Sequence, residues 1–145
     1  MFQHILVVCT GNICRSPVAA AMLAATLPGR RVDSAGLGAL VGHCVEPTAR
    51  ELAEADGLDV ANHQARQLTE AMLQAADLIL VMSEGQRHAV ADLAPAALGK
   101  TMLLGKWLDG GKGREIPDPY RKSREAFEHV HGLLREATAA WVKRL

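Results

Sequence analysis

Two stretches of the chain, His4-Ile5-Leu6-Val7-Val8 and Asp77-Leu78-Ile79-Leu80-Val81-Met82, are apolar at consecutive rather than alternate positions. A strand with one wet face alternates, so an unbroken aliphatic run marks a strand buried on both sides, as in parallel sheets covered by helices. Helix-like pieces separate the strand-like ones. Val18 to Leu27 is rich in Ala, Met and Leu behind Pro17 and ahead of Gly29, and Pro47 to Asp56 is closed by Gly57. Thr69 can cap a short helix through Ala75, and Ser83 can begin another toward Leu93. Arg31-Val32-Asp33-Ser34 and Thr101 to Leu104 read as short strands. Phe127, Val130, Leu134, Ala137, Trp141 and Leu145 recur at helical spacing and give a C-terminal helix one core-facing stripe. The pattern predicts an α/β fold with a parallel sheet, in which ligands bind beyond the carboxyl ends of the strands.

The chain has 145 residues, which predicts a single domain over 1–145. Sixteen Lys and Arg balance sixteen Asp and Glu, so no general electrostatic attraction to nucleic acid or membrane surfaces is expected. The longest apolar run, Val18 to Ala25, is far short of the roughly 20 residues that span a bilayer, and stable membrane insertion is not expected. Met1-Phe2-Gln3-His4 lacks a cationic leader, which points to the cytoplasm. Three cysteines, at 9, 14 and 44, cannot all pair and read as reduced thiols. Neither their spacing nor that of His129 and His131 suits a metal, and no cofactor motif is present; no metal and no cofactor are expected.

The first strand runs into Cys9-Thr10-Gly11-Asn12-Ile13-Cys14-Arg15-Ser16-Pro17. A tight loop here would converge its backbone N–H groups on one point, and the following helix would aim its positive end at that point. Gly11 and Asn12 are the residue types that best tolerate the left-handed backbone such a curl requires. The result is an anion site lined by Thr10, Gly11, Asn12, Ile13, Cys14 and Ser16, with the Cys9 thiol at its floor. Arg15 can grip phosphate oxygens with two parallel bonds. A free thiol, with a pKa of about 8.5, is only slightly ionised at neutral pH; loop amides, the Arg15 charge and the Ser16 hydroxyl would favour the attacking anion. Such a thiolate can form a phosphocysteine.

A poor leaving group needs a proton. The conjugate acid of a tyrosine phenolate has a pKa of about 10, so it departs more readily when protonated. Asp118, in Ile116-Pro117-Asp118-Pro119-Tyr120, is the candidate acid, with two prolines restricting its backbone. It ends a loop from Gly105 to Tyr120 holding six Gly or Pro residues, and loops of that length are usually functional. From Lys100 to Arg124 seven basic residues face three acids, which suits an acidic or phosphorylated segment or a plain solvated face.

Cys9 to Pro17 together with Asp118-Pro119-Tyr120 resemble the low-molecular-weight protein-tyrosine phosphatases, and Asp33 to Gly36, His63 to Thr69 and Asp77 to Met82 also look like family segments. The resemblance implies a three-layer fold with a four-stranded parallel sheet in the order 2-1-3-4. It implies Cys9 as nucleophile, Arg15 as phosphate-binding arginine, Ser16 as partner of the thiolate, Asp118 as general acid, and Asn12 as shaper of the loop buttressed by Ser34 and His63. Cys14 matches a second loop cysteine able to form a reversible disulfide with the nucleophile. Leu40 and Tyr120 fall at the pocket wall; Leu40 stands where eukaryotic members carry an aromatic residue, and Arg121 where they carry a second tyrosine. Ser34 to Gly42 and Ile116 to Glu125 look most like the bacterial branch tied to capsule and exopolysaccharide export. That branch acts on the tyrosine-rich tail of a membrane tyrosine autokinase, which would be the phosphotyrosine partner.

Two related chemistries compete. Arsenate reductases share this scaffold but pass oxidation to later cysteines, and none follows Cys44. A phosphocysteine carrier also places Cys after a first strand but needs neither Asp118 nor Arg15. No site role is expected for Cys44, His4, His43, His88, His129 or His131, and Met72, Met82 and Met102 read as core.

Overall fold

The computed structural model describes residues 2–145. Four parallel strands, β1 (His4–Cys9), β2 (Arg31–Gly36), β3 (Leu78–Val81) and β4 (Thr101–Leu103), lie in the order β2-β1-β3-β4. Five helices surround them: α1 (Arg15–Thr26), α2 (Pro47–Ala55), α3 (Glu70–Ala75), α4 (Glu84–Leu93) and α5 (Arg124–Val142). The fully apolar strands behave as their sequence requires. Ile5, Val7, Leu78, Leu80 and Met82 face a core built with α1, α2 and α5. Leu6, Val8, Ile79 and Val81 face a second core with Leu73 of α3 and Val90 of α4. Both faces of β1 and β3 are therefore dry, and the C-terminal end of β1 opens at the centre of the sheet edge where the strand order reverses.

The helix caps follow side-chain chemistry. Thr69, Ser83 and Ser123 accept from the backbone N–H groups of Met72, Gln86 and Ala126, so α3, α4 and α5 each start on a hydroxyl cap. Along α5, Phe127, Val130, Leu134, Ala137 and Trp141 are buried, and the Trp141 indole N–H donates to Leu104 O at 2.8 Å. Among the described residues no helix is long and apolar enough to cross a membrane.

Helix α1 begins at Arg15 and carries Pro17 in its first turn, as the sequence leads one to expect, because proline at the third position still falls among the first four N–H groups, which have no intrahelical acceptor. Two other details go beyond the sequence expectation. Strand β2 runs on to Gly36, paired with Cys9; a Cβ on Gly36 would stand 2.6 Å from Thr10 O, so glycine permits the close approach. A 3-10 turn, Pro95–Lys100, links α4 to β4, entered through extended Ala94, as the residue before a proline prefers.

Candidate active site

The segment from Cys9 to Arg15 curls between β1 and α1, and its outer surface is fastened one peptide at a time. The carbonyls of Cys9, Thr10 and Gly11 accept from the N–H groups of Leu37 (3.0 Å), Gly38 (2.9 Å) and Leu40 (3.1 Å). The Ile13 carbonyl accepts from Glu46 N–H at 2.9 Å. The Asn12 carbonyl accepts from His63 Nε2 at 2.7 Å, and since a carbonyl only accepts, that ring nitrogen carries the proton. In a trans peptide each carbonyl points away from the N–H that follows it, and none of these bonds is cis. Five carbonyls drawn outward thus leave the N–H groups of Thr10 to Cys14 aimed at the inside of the curl. The first-turn N–H groups of α1, which has no side-chain cap, add to them.

Asn12 is the keystone of the curl. Its φ of 58° lies in the left-handed region, its side chain is fully buried, and every polar atom of that side chain is used. Nδ2 donates to Ser16 Oγ at 2.8 Å and to Ser34 Oγ at 3.0 Å, while Oδ1 accepts from Arg66 N–H at 3.0 Å. Because Ser16 Oγ accepts from Asn12, its own hydrogen is free for Cys9 Sγ, 2.9 Å away. That donor suits a thiolate better than a thiol.

Arg15 opens α1 and is 5% exposed. Its Nη1 donates to Ile116 O at 2.9 Å, and Ile116 is itself pinned by its N–H bond to Met82 O at 2.9 Å. Arg15 Nη2 lies 3.6 Å from Asp118 Oδ2, and Arg15 Nε is buried without a protein partner. The Asp118 carboxyl is half exposed, and its Oδ1 accepts from Tyr120 N–H at 3.0 Å, which fixes it within its own turn. Cys9, Thr10, Gly11, Ile13, Cys14, Arg15, Leu40, Asp118 and Tyr120 line one cleft of about 210 Å³. Its walls are apolar at Ile13, Leu40 and Tyr120, and its floor carries the thiol and the guanidinium.

Every residue singled out from the sequence is in this assembly: nine on the cleft, Asn12 and Ser16 beneath it, Ser34 and His63 behind Asn12. Burial, reinforced by the negative charges of Cys9, Glu46 and Asp118 and opposed by Arg15, pushes the Cys14 thiol up to about 12. Cys44 is exposed. Among the described residues no three His, Cys, Asp or Glu side chains cluster as metal ligands.

Three supports were not singled out from the sequence. Arg66 holds Asn12 through its N–H and Ser34 O through Nε at 2.9 Å. Gln86, buried in α4, accepts from Met82 N–H and donates to Thr10 Oγ1 at 3.2 Å. The Ile116 carbonyl aims Arg15. Arg66 falls within a segment that carries the family resemblance, whereas Gln86 gives no signal in a helix of otherwise ordinary polarity.

The family described as low molecular weight phosphotyrosine protein phosphatase matches residues 4–145. The low molecular weight protein-tyrosine-phosphatase Etp of Escherichia coli K12 is 49% identical over 144 residues, 99% of this chain and 95% of Etp. The phosphatase Wzb of Salmonella typhimurium is 48% identical over 145 residues, 100% of this chain and 95% of its own. The structure of Vibrio vulnificus Wzb in complex with benzylphosphonate superposes with a TM-score of 0.95 at 47% identity, covering all of both chains.

Proposed function

Since the chain belongs to the low molecular weight phosphotyrosine protein phosphatases, and is an enzyme of that class, we propose that it removes phosphate from protein phosphotyrosine through a cysteinyl-phosphate on Cys9. What carries this reading is the convergence of Cys9, Arg15 and Asp118 on a single cleft whose inner lining is backbone N–H. The phosphoryl group sits in the curl with its oxygens on the amides and on Arg15, and the tyrosine ring lies between Leu40 and Tyr120. Cys9 Sγ attacks phosphorus opposite the phenolic oxygen; the S–P bond forms as the P–O bond breaks, and Asp118 delivers its proton to the departing phenolate. The Asp118 carboxylate then takes a proton from a water that attacks the cysteinyl-phosphate, which releases phosphate and returns the Ser16-held thiolate. Arg15 and the amides supply the positive potential throughout, so the scheme uses no metal and no cofactor.

The whole chain, 1–145, acts as one catalytic domain in this reading. The natural substrate is the tyrosine-rich tail of a membrane tyrosine autokinase that governs capsule or exopolysaccharide production, met in the cytoplasm. Likeness to proteins named Etp and Wzb supports that assignment. A phosphocysteine carrier would have no use for Asp118 beside Arg15, and an arsenate reductase relay would need a cysteine beyond Cys44.

Phosphate release from a phosphotyrosine peptide tests the reading. Cys9→Ser should abolish turnover, a loss of at least about 10³-fold for an activated nucleophile, while the variant still binds orthovanadate or phosphate. Retained turnover in Cys9→Ser would remove the covalent mechanism.

A further inference from the structure

Arg121 has no part in the scheme above, yet it is held in a costly conformation next to the cleft. The N–H of Lys122 donates to Pro119 O at 2.9 Å, closing a turn in which Arg121 is the third residue, and its φ is 61°. That place and sign of φ favour glycine or asparagine, because a Cβ there crowds the following carbonyl. Strain of this kind persists where the surrounding structure imposes it, and it gathers at functional sites. The only other non-glycine residues with positive φ among those described are Asn12, in the phosphate loop, and Asp109.

The side chain is held as well. The guanidinium carbon of Arg121 lies 5.2 Å from the centroid of the Tyr120 ring, within cation–π range, and Tyr120 is a wall of the cleft. Among the described residues no carboxylate comes within 4.0 Å of Arg121, in contrast to Arg15, Arg31, Arg50, Arg66, Arg87, Arg124 and Arg135. An arginine that is exposed, unpaired and laid along a pocket wall presents its fork to whatever flanks a ring inserted against that wall. Neighbouring residues of an extended chain are about 3.8 Å apart, within reach of the guanidinium.

We propose that Arg121 is a recognition subsite for a glutamate or aspartate carboxylate next to the phosphotyrosine in the substrate chain. The inference rests on the phosphotyrosine reading of the cleft and adds a substrate preference to it.

The test compares kcat/KM on two phosphotyrosine peptides that differ only in flanking glutamates or glutamines. Wild type should prefer the acidic peptide by about two- to fivefold at low ionic strength, the range of an exposed ion pair, with the difference in KM rather than kcat. Arg121→Gln should bring the ratio to about one, and Arg121→Glu should invert it on a peptide pair carrying lysines. Arg121→Gly removes the cation and relieves the backbone together, so it should lose the preference with Tm unchanged or raised, which a merely structural role would not produce. Equal wild-type rates on the two peptides, or a preference that survives Arg121→Gln, overturns the subsite alone. No turnover of either peptide by wild type would overturn the phosphatase reading and the subsite with it.

Discussion

Cys9 and Cys14 lie five residues apart in one loop, and their surroundings set them different tasks. Cys9 has the Ser16 hydroxyl at 2.9 Å, whereas Cys14 is buried beside negative groups and its thiol is pushed up to about 12. Alkylation rates follow the thiolate fraction, so Cys14 should stay unmodified by iodoacetamide at pH 8 in the folded protein. Exposed Cys44 should react, and unfolding in urea should release Cys14; peptide mass mapping reads all three thiols. Labelling of native Cys14 as fast as Cys44 would contradict the burial argument. At this scale the residues that meet at the cleft were legible because Cys9 and Asn12 are scarce types in this chain and Arg15 and Asp118 stand at restrictive positions, one separated from Cys9 by five residues and one between two prolines. Gln86 and the Ile116 carbonyl were not, since a buried glutamine contact and a backbone acceptor are created only when α4 and the long loop come to rest against the curl.

Among the elements, the curl itself is the most informative. Asn12→Gly keeps the left-handed φ but strips donors from Ser16 and Ser34 and the acceptor from Arg66 N–H. Each lost bond is worth about 1 kcal/mol, so stability should fall by about 1–3 kcal/mol and kcat/KM by about 10- to 100-fold. Asn12→Ala should cost about 1 kcal/mol more, the added penalty of a Cβ at that φ, and urea titration of the pair separates strain from bonding. The strands β1 and β3 and the helices α3 to α5 could be read from the sequence because runs of aliphatic residues and hydroxyl caps act locally. The extension of β2 to Gly36 and the 3-10 turn at Pro95–Lys100 could not, since pairing with β1 decides the first and the span between α4 and β4 decides the second. The long loop is more ordered than its composition implies. Arg114 N–H donates to Gly105 O at 3.0 Å, and a Cβ on Gly105 would collide with Arg114 O, so glycine there lets the loop fold back on its own start.

For the molecule as a whole, Asp77 ties the start of β1 to the start of β3: its Oδ2 accepts from the N–H groups of Gln3 and His4 at 2.9 Å each. Those two bonds hold its carboxyl below the ordinary 3.8. A depressed carboxyl stabilises the fold above its unfolded value, and that contribution is lost as pH falls through the lower, folded one. Asp77→Asn should therefore be less stable than wild type at pH 7 in urea denaturation, and the gap should close as pH drops below about 3.8. A gap that widens in acid would mean that the carboxylate is not what joins the strands. The same distributed logic governs the curl from Cys9 to Arg15. Its outer carbonyls are gripped by residues 37, 38, 40, 46 and 63, none of which needs to touch a bound anion. The receptor is a mould cast by the rest of the chain: a guest oxyanion finds its berth set in advance, and damage to a distant buttress would be felt as weaker capture although every contact atom is still there.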